Sequence, residues 1–213
     1  VSRGLGDVYK RQAINGSLPA DGAFIKSIVS TNMADAIAEY YGIQLIEVLT
    51  GFKFIGGKIL EFEKTGKGTY LFGMEESYGC LAGTHSRDKD ACVAVMCLCE
   101  VAAYCKKEGK TLWDMMVEMY EKYGYYKETQ YTITLKGVDG AKQINEIMDK
   151  LRTNPPKAFG DLKVLRFRDY KEDKILDMET GAVTTTGLPN SNVLYFELPD
   201  NCWCCARPSG TEP

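Results

Sequence analysis

The sequence predicts an α/β three-layer domain with a mostly parallel sheet, followed by a smaller α+β domain. In the first 127 residues, apolar β-prone runs alternate with helical patterns, which is typical of parallel strands covered by helices. The rest of the chain shows one amphipathic helix pattern among short strands and turns. At 213 residues and 45% hydrophobic content, the chain can bury a sizeable core.

In the first domain, strand and helix patterns follow one another in regular order. Residues 30–32 are candidate N-caps of the first helix, and Gly42 is a suitable stop. A polar loop is expected from Glu75 to Lys89. The helix after it is apolar almost all round, which predicts burial against a sheet. The predicted strands are 24–29, 43–49 and 70–74, and the predicted helices are 33–41, 52–62, 90–106 and 112–123.

The second domain is expected to begin at residue 128. Residues 141–151 carry an apolar stripe at the i, i+3, i+4, i+7 spacing of an amphipathic helix. This helix is expected to lie on a mostly antiparallel sheet. The predicted strands are 131–135, 162–167, 193–198 and 202–206, with turns at Gly181, 187–190 and 199–201.

Both ends of the sequence are unusual. Residues 1–12 have no clear period and several turn formers, so we interpret them as a disordered leader or an artefact. The α/β domain is then 13–127 and the α+β domain 128–213. The sequence stops directly after a glycine turn, so we expect a fragment that is truncated at the C-terminus.

Composition and charge exclude several classes of protein. The net charge of −3 disfavours a nucleic-acid partner, because polyanion binders carry a basic excess. The longest apolar run, 91–99, is too short to span a membrane. Seven of the eight cysteines crowd two short segments, 92–105 and 202–205, so we expect reduced thiols in a cytoplasmic protein. A zinc site is disfavoured, because His85 is the only histidine and paired CxxC spacing is missing.

Three polar loops follow three successive strands, at 30–31, 50–53 and 75–77. Because ligands bind at the carboxyl ends of strands in open α/β sheets, these loops are expected to converge on one site. Lys53 can contact a phosphate as a point charge, although a surface lysine is the commoner explanation.

The acidic loop can recognise hydroxyl groups. Glu75, Glu76 and Ser77 offer hydrogen bonds to a sugar, while Arg87 and Lys89 can meet an anion. A solvated charged loop is the alternative. A nucleophile elbow with Ser77 and His85 is disfavoured, because Glu75 stands where that motif requires glycine.

The last loop contains the parts of a phosphate cradle. Arg207 supplies a guanidinium fork, Ser209 and Thr211 supply hydroxyls, and Gly210 lets backbone N–H groups approach an anion. An ordinary turn after a strand is the alternative interpretation.

Four segments together resemble the α-D-phosphohexomutases, the superfamily of phosphoglucomutases and phosphomannomutases. They are TGFKFIG at 50–56, GMEESYG at 73–79, HSRDKD at 85–90 and RPSGTEP at 207–213, in the order of that family. The resemblance covers nearly the whole chain, from about Asp21. It implies a four-domain enzyme of which this chain supplies the third domain and most of the fourth.

The resemblance also implies roles for individual residues. The implied substrate-binding residues are Lys53, Glu75, Glu76, Ser77, His85, Arg87 and Lys89, and the implied phosphate-binding residues are Arg207, Ser209, Gly210 and Thr211.

The family's phosphoserine and its DxDxDR metal loop do not occur in this sequence. The resemblance therefore implies that catalytic residues and Mg²⁺ belong to missing N-terminal domains, and that the fragment alone is inactive. It implies hexose 1-phosphate and hexose 6-phosphate as substrates, with a hexose 1,6-bisphosphate intermediate. Within this resemblance, the motif EESYG at 75–79 favours glucose as the sugar. A phosphomannomutase, a phosphopentomutase and a non-catalytic phosphosugar-binding module remain alternatives.

Overall fold

The protein is described by a computed structural model that covers residues 18–77 and 79–209. It divides between Glu128 and Thr129 into two compact units. The predicted leader at 1–12 lies outside the described residues. None of the described helices has the length and apolar run that crossing a bilayer requires.

The first unit is the three-layer α/β domain that the sequence predicts. Its described strands are β1 (Gly22–Ser27), β2 (Gln44–Val48), β3 (Thr69–Glu75) and β4 (Gly79–Ala82), and its helices are α1 (Met33–Tyr41), α2 (Phe52–Thr65), α3 (Ala91–Lys107) and α4 (Leu112–Tyr123). The sheet order is β2-β1-β3-β4. β1 runs parallel to β2 and β3, while β4 is antiparallel, so the mostly parallel sheet is confirmed.

Apolar side chains cover both faces of this sheet. Phe24 and Phe72 pack with α1, α3 and α4 on one face, while Ile25 and Leu81 pack with α2 on the other. Gly42 ends α1 in the left-handed conformation, with a φ of 64°, which confirms the predicted stop.

A fully buried lysine ties β1 to its neighbours on the first of these faces. Nζ of Lys26 donates to Oδ1 of Asn32 at 3.1 Å and lies 3.4 Å from Oε1 of Glu47. It also forms an ion pair with Asp35 of α1. The buried ammonium is therefore compensated by opposite charge, as a buried cation requires.

The segment from Glu75 to Lys89 is not the continuous loop that was predicted, because it contains β4. Cys80 and Leu81 of β4 are buried, and Cys80 pairs with Met74 of β3. Four residues are too few for an alternating pattern to stand out among polar neighbours. Pairing with β3 decides the conformation of this segment.

Helix α3 is buried on one side only. Val101 and Cys105 lie in the core, whereas Val95 and Met96 are 60% and 65% exposed. The predicted burial against a sheet is confirmed for the side that carries Val101 and Cys105, while the described residues place no second layer on the other side.

The described part of the second unit is an antiparallel sheet with a helix packed on it, which confirms the α+β class. Met148 of the helix packs with Leu194 and Phe196 of the sheet. The elements are α5 (Gly137–Thr153), β5 (Ala158–Phe159), β6 (Leu162–Lys163), β7 (Arg166–Asp169), β8 (Lys174–Asp177), β9 (Val183–Thr184), β10 (Leu194–Glu197) and β11 (Trp203–Ala206). The main sheet has the order β11-β10-β7-β8-β9, and β5 pairs with β6.

The strand predicted at 131–135 is not a strand. Tyr131 and Ile133 are exposed. The apolar alternation is present, but no strand of the described residues lies beside it to exchange backbone hydrogen bonds. The single strand predicted at 162–167 is instead two strands, β6 and the first part of β7.

Candidate functional site

The carboxyl ends of β1, β2 and β3 lie at one edge of the first unit's sheet, because β1 runs parallel to both neighbours. Ser27, the last residue of β1, is level with Val48 at the end of β2. The loops that follow these strands therefore meet at this edge, as the sequence predicts.

Glu75 connects two of these loops. It is the last residue of β3, and its side chain is 3% exposed. Its Oε1 accepts a hydrogen bond from the backbone N–H of Gly51 at 2.6 Å, and its Oε2 accepts one from Nζ of Lys89 at 3.0 Å. Gly51 has a φ of 115°, which a residue with a Cβ rarely adopts. One buried carboxylate thus holds the start of α2 and the loop before α3.

Glu76 is held by Ser27, at the end of β1. Oγ of Ser27 donates to Oε2 of Glu76 at 2.7 Å, and it lies 3.0 Å from Oγ of Ser30. Ser27 and Ser30 are both buried, whereas Ser77 is exposed. Ser27 was missed from the sequence, where its only signal is a small hydroxyl at the end of an apolar strand.

Arg87 reaches away from this edge. Its Nη2 donates to Oε1 of Glu63 at 2.5 Å, and its Nη1 donates to the carbonyl oxygen of Thr84 at 2.7 Å. Glu63 lies near the far end of α2, about 15 Å along the helix axis from Lys53. Gly56 permits this packing, because a Cβ there would lie 2.7 Å from the carbonyl oxygen of Arg87.

His85 and Lys53 also have neighbours within the unit. Nε2 of His85 lies 3.0 Å from Oδ2 of Asp90, which caps α3 by accepting from the N–H of Cys92 at 2.8 Å. The His85 hydrogen bond first, and the backbone donors second, hold the pKa of Asp90 below its usual value. Lys53 is exposed, with Nζ 5.0 Å from the centroid of the Phe54 ring.

The structure therefore separates the predicted residues of this unit into two groups. Glu75 and Lys89 are in direct contact, and Glu76 and Ser77 lie in the turn that follows Glu75. Arg87 and His85 are instead occupied by carboxylates of their own unit.

In the second unit, Arg207 and Ser209 directly follow β11, and both are exposed. β11 is an edge strand of the described sheet and pairs with β10. A guanidinium and a hydroxyl so close in sequence can bind an oxyanion. Gly210 and Thr211, the other predicted phosphate-binding residues, lie outside the described residues.

The first unit offers the chemistry of a site for a polyhydroxylated anion. Carboxylate oxygens accept hydrogen bonds from hydroxyls, and the Lys89 ammonium attracts negative charge. Within residues 18–77 and 79–209, no group of three or more His, Cys, Asp or Glu side chains is placed to hold a metal ion.

Comparison with known proteins gives consistent results. Residues 7–123 match the family model for phosphoglucomutase/phosphomannomutase, alpha/beta/alpha domain III. The phosphoglucomutase of Staphylococcus aureus (strain bovine RF122 / ET3-1) is 38% identical over 189 residues, which are 89% of this chain and 34% of the relative. The phosphoglucomutase of Staphylococcus haemolyticus (strain JCSC1435) is 36% identical over 197 residues, 92% of this chain and 35% of the relative.

A solved structure shows the same fold. The open form of the exocytosis-sensitive phosphoprotein pp63/parafusin, a phosphoglucomutase from Paramecium, matches with a TM-score of 0.56 and 22% identity. The match covers 97% of this chain and 34% of that one. The chain thus spans about a third of the length of the relatives it matches.

Proposed function

The chain belongs to the phosphoglucomutase/phosphomannomutase family, and from this premise we propose that it is the sugar- and phosphate-recognition part of a phosphoglucomutase. The proposed reaction interconverts glucose 1-phosphate and glucose 6-phosphate through a phosphoserine and a hexose 1,6-bisphosphate. One observation carries the proposal: the buried carboxylate of Glu75 joins Gly51 and Lys89 where three parallel strands end.

The first unit is proposed to hold the sugar ring. An ionised carboxylate has about four acceptor positions, so Glu75 can accept a sugar hydroxyl in addition to its two contacts within the protein. Glu76 and Ser77 follow it in the same turn and are proposed to bind neighbouring hydroxyls. Lys89 and Lys53 are proposed to attract the sugar phosphate to this edge.

The second unit is proposed to bind the phosphate group. Arg207 can form paired charge-assisted hydrogen bonds to phosphate oxygens, and the residues assigned with it are Ser209, Gly210 and Thr211.

His85 and Arg87, in the first unit, have a supporting role in this proposal, because each must first leave its carboxylate partner to bind an anion.

The phosphoserine and Mg²⁺ are proposed to belong to domains of the same protein outside this chain. The described residues do not fit a metal site, so nothing assigned to this chain depends on direct metal contact. The 213-residue chain alone is therefore expected to show no turnover. The cytosol is the proposed location, on the argument from cysteine spacing.

The test of substrate uses the full-length product of the gene that encodes this chain. We expect a higher kcat/KM for glucose 1-phosphate than for mannose 1-phosphate in the presence of Mg²⁺ and bisphosphate. A preference for mannose 1-phosphate would make the protein a phosphomannomutase. No turnover of either sugar phosphate would overturn the proposal.

The test of phosphate recognition is Arg207→Ala in the same protein. The loss of a charge-assisted hydrogen bond should weaken phosphosugar binding by about 1.5–3 kcal/mol, measured by titration calorimetry. Lys163→Ala is the matched control, because Lys163 is an exposed cation of the same unit with no proposed role. Equal binding by both variants would remove Arg207 from the site.

A further inference from the structure

Helix α3 presents an apolar surface to solvent over its first three turns. Val95 and Met96 are among the most exposed large hydrophobic residues of the first unit. Spacings of three and four residues place this surface on the side of the helix opposite the core residues Val101 and Cys105. We call it the outer face of α3, and it consists of Cys92, Val95, Met96, Cys99 and Ala103.

This surface differs from the solvent side of α2, the helix that covers the other face of the sheet. There, Lys58 and Glu61 form an ion pair at 2.8 Å on the surface. In α3 the first charged residue is Glu100, more than two turns after the helix begins. A helix that is apolar on both sides is typical of one covered on both sides, and a contiguous exposed apolar patch marks an interaction site.

The length of the relatives indicates what covers the outer face. The chain corresponds to 34% of the Staphylococcus aureus phosphoglucomutase, so about two thirds of such a polypeptide lies outside the aligned part. Further domains of the same protein are therefore the partners whose existence the comparisons already support.

The position of α3 indicates which of these domains is concerned. The N–H of Asp90 donates to the carbonyl oxygen of Cys80 at 2.9 Å, and the preceding Lys89 binds Glu75. The outer face consequently starts beside the sheet edge that carries the candidate site. A domain that brings a reacting group to this edge would lie next to the first turn of α3.

We propose that the outer face of α3 packs against the domain of the same polypeptide that carries the transferred phosphoryl group. The inference rests on the proposed function in taking the chain as part of a longer enzyme. The contact would bury Val95 and Met96 and hold the phosphoryl-carrying domain next to Glu75. A second copy of the chain is the other possible occupant, and the experiment distinguishes the two.

The experiment measures alkylation of single cysteines by iodoacetamide, followed by peptide mass spectrometry. In this chain Cys92, Cys99 and Cys202 are all exposed, while Cys105 is buried. In the full-length protein, Cys92 and Cys99 should react at least about tenfold more slowly than Cys202, each rate being normalised to that in urea. Equal normalised rates for the three thiols would overturn the proposal.

The same assay on the 213-residue chain identifies the occupant. Cys92 and Cys99 should then react as fast as Cys202, while Cys105 stays unreactive and reports that the fold is intact. Protection that persists in this chain and disappears on dilution would show that a second copy covers the face, and would overturn the assignment to another domain.

A charge on the outer face should open the contact. In the full-length protein, Met96→Lys should raise the alkylation rates of Cys92 and Cys99 at least about fivefold, with Cys105 still protected. Val183→Lys is the control, because Val183 is exposed to a similar extent in the second unit. No increase in either rate with Met96→Lys would contradict the proposal.

The outcome is separable from that of the proposed function. Protection of Cys92 in a protein that turns over neither sugar phosphate would refute the function and leave the interface. Turnover in a protein whose Cys92 is unprotected would refute the interface alone.

Discussion

Glu75 in the first unit and Asp169 in the second are each the last residue of a strand, and each side chain is 3% exposed. In both residues, one carboxylate oxygen accepts a hydrogen bond from a backbone N–H, and the other accepts one from a cationic side chain. For Asp169 the donors are the N–H of Lys171 at 3.0 Å and Nε of Arg152 at 2.8 Å.

The two cations differ in what surrounds them. Arg152 is 12% exposed and also donates to Asp149 and Asn192, so each of its three guanidinium nitrogens has a partner inside its unit. Lys89 is 45% exposed and reaches its carboxylate on a flexible stem. A buried carboxylate alone therefore does not mark a site, and it is the exposure of the cationic partner that separates the Glu75 pair from the Asp169 pair.

The largest expected effect comes from breaking the pair of Asp169 and Arg152, whose cation is mostly buried. Asp169→Ala leaves the buried guanidinium of Arg152 without its main partner, and should lower the free energy of unfolding of the second unit by about 3–5 kcal/mol. Urea unfolding followed by the fluorescence of Trp203, in β11, measures it with Trp113 replaced by Phe. Asp161→Ala, at an exposed position, is the control. A loss below about 1 kcal/mol would show that this pair contributes little to the stability of the second unit.

Breaking the pair of Glu75 and Lys89, whose cation is open to solvent, should lower the free energy of unfolding by less. Glu75→Gln keeps an oxygen for the N–H of Gly51 and loses the ionic contact with Lys89, which should cost about 1–2 kcal/mol because that lysine is half exposed. Urea unfolding followed by Trp113, in α4, reports the first unit. Glu63→Gln, which breaks the exposed pair with Arg87, should cost at most about 0.5 kcal/mol. A loss as large as that of Asp169→Ala would contradict the comparison.

The smallest expected effect concerns Asp90, a carboxylate that is 27% exposed. Because its pKa is lowered by His85 and by backbone donors, its stabilising contribution is present above the unfolded-state pKa of about 3.9 and is lost as pH falls through the folded-state value. Wild type should be more stable than Asp90→Asn at pH 7, and the two should converge below about pH 3. Asp88→Asn, at an exposed position of the same loop, is the control. A difference that grows towards acid would have the wrong sign.

Local signals in the sequence were sufficient for much of the first unit. β1, α1, β2 and α2 lie within a few residues of their predicted positions, because periodicity and stops such as Gly42 act over short distances. The failures concern structure that depends on distant partners. β4 exists because β3 lies beside it, and the alternation at 131–135 gives no strand because no described neighbour pairs with it.

The candidate site shows the same division. Motifs located the acidic turn and the basic loop in the sequence, but not their contacts. Ser27 and Glu76 are 49 residues apart, and Arg87 and Glu63 are joined only because Gly56 allows a loop to lie on α2. The roles assigned to these residues in sugar and phosphate binding stay predictions.

The central position of β1 has a consequence for synthesis on the ribosome. β1 is made before both of its neighbours, and the contact between Ser27 and Glu76 joins residues 49 positions apart. At about 5–20 residues per second, translation needs about 2–10 s to cover that distance. For this time the apolar side chains of β1 have no complete sheet to enter, and a chaperone that recognises nascent apolar segments can bind them. Slower translation between these two residues should lengthen that association.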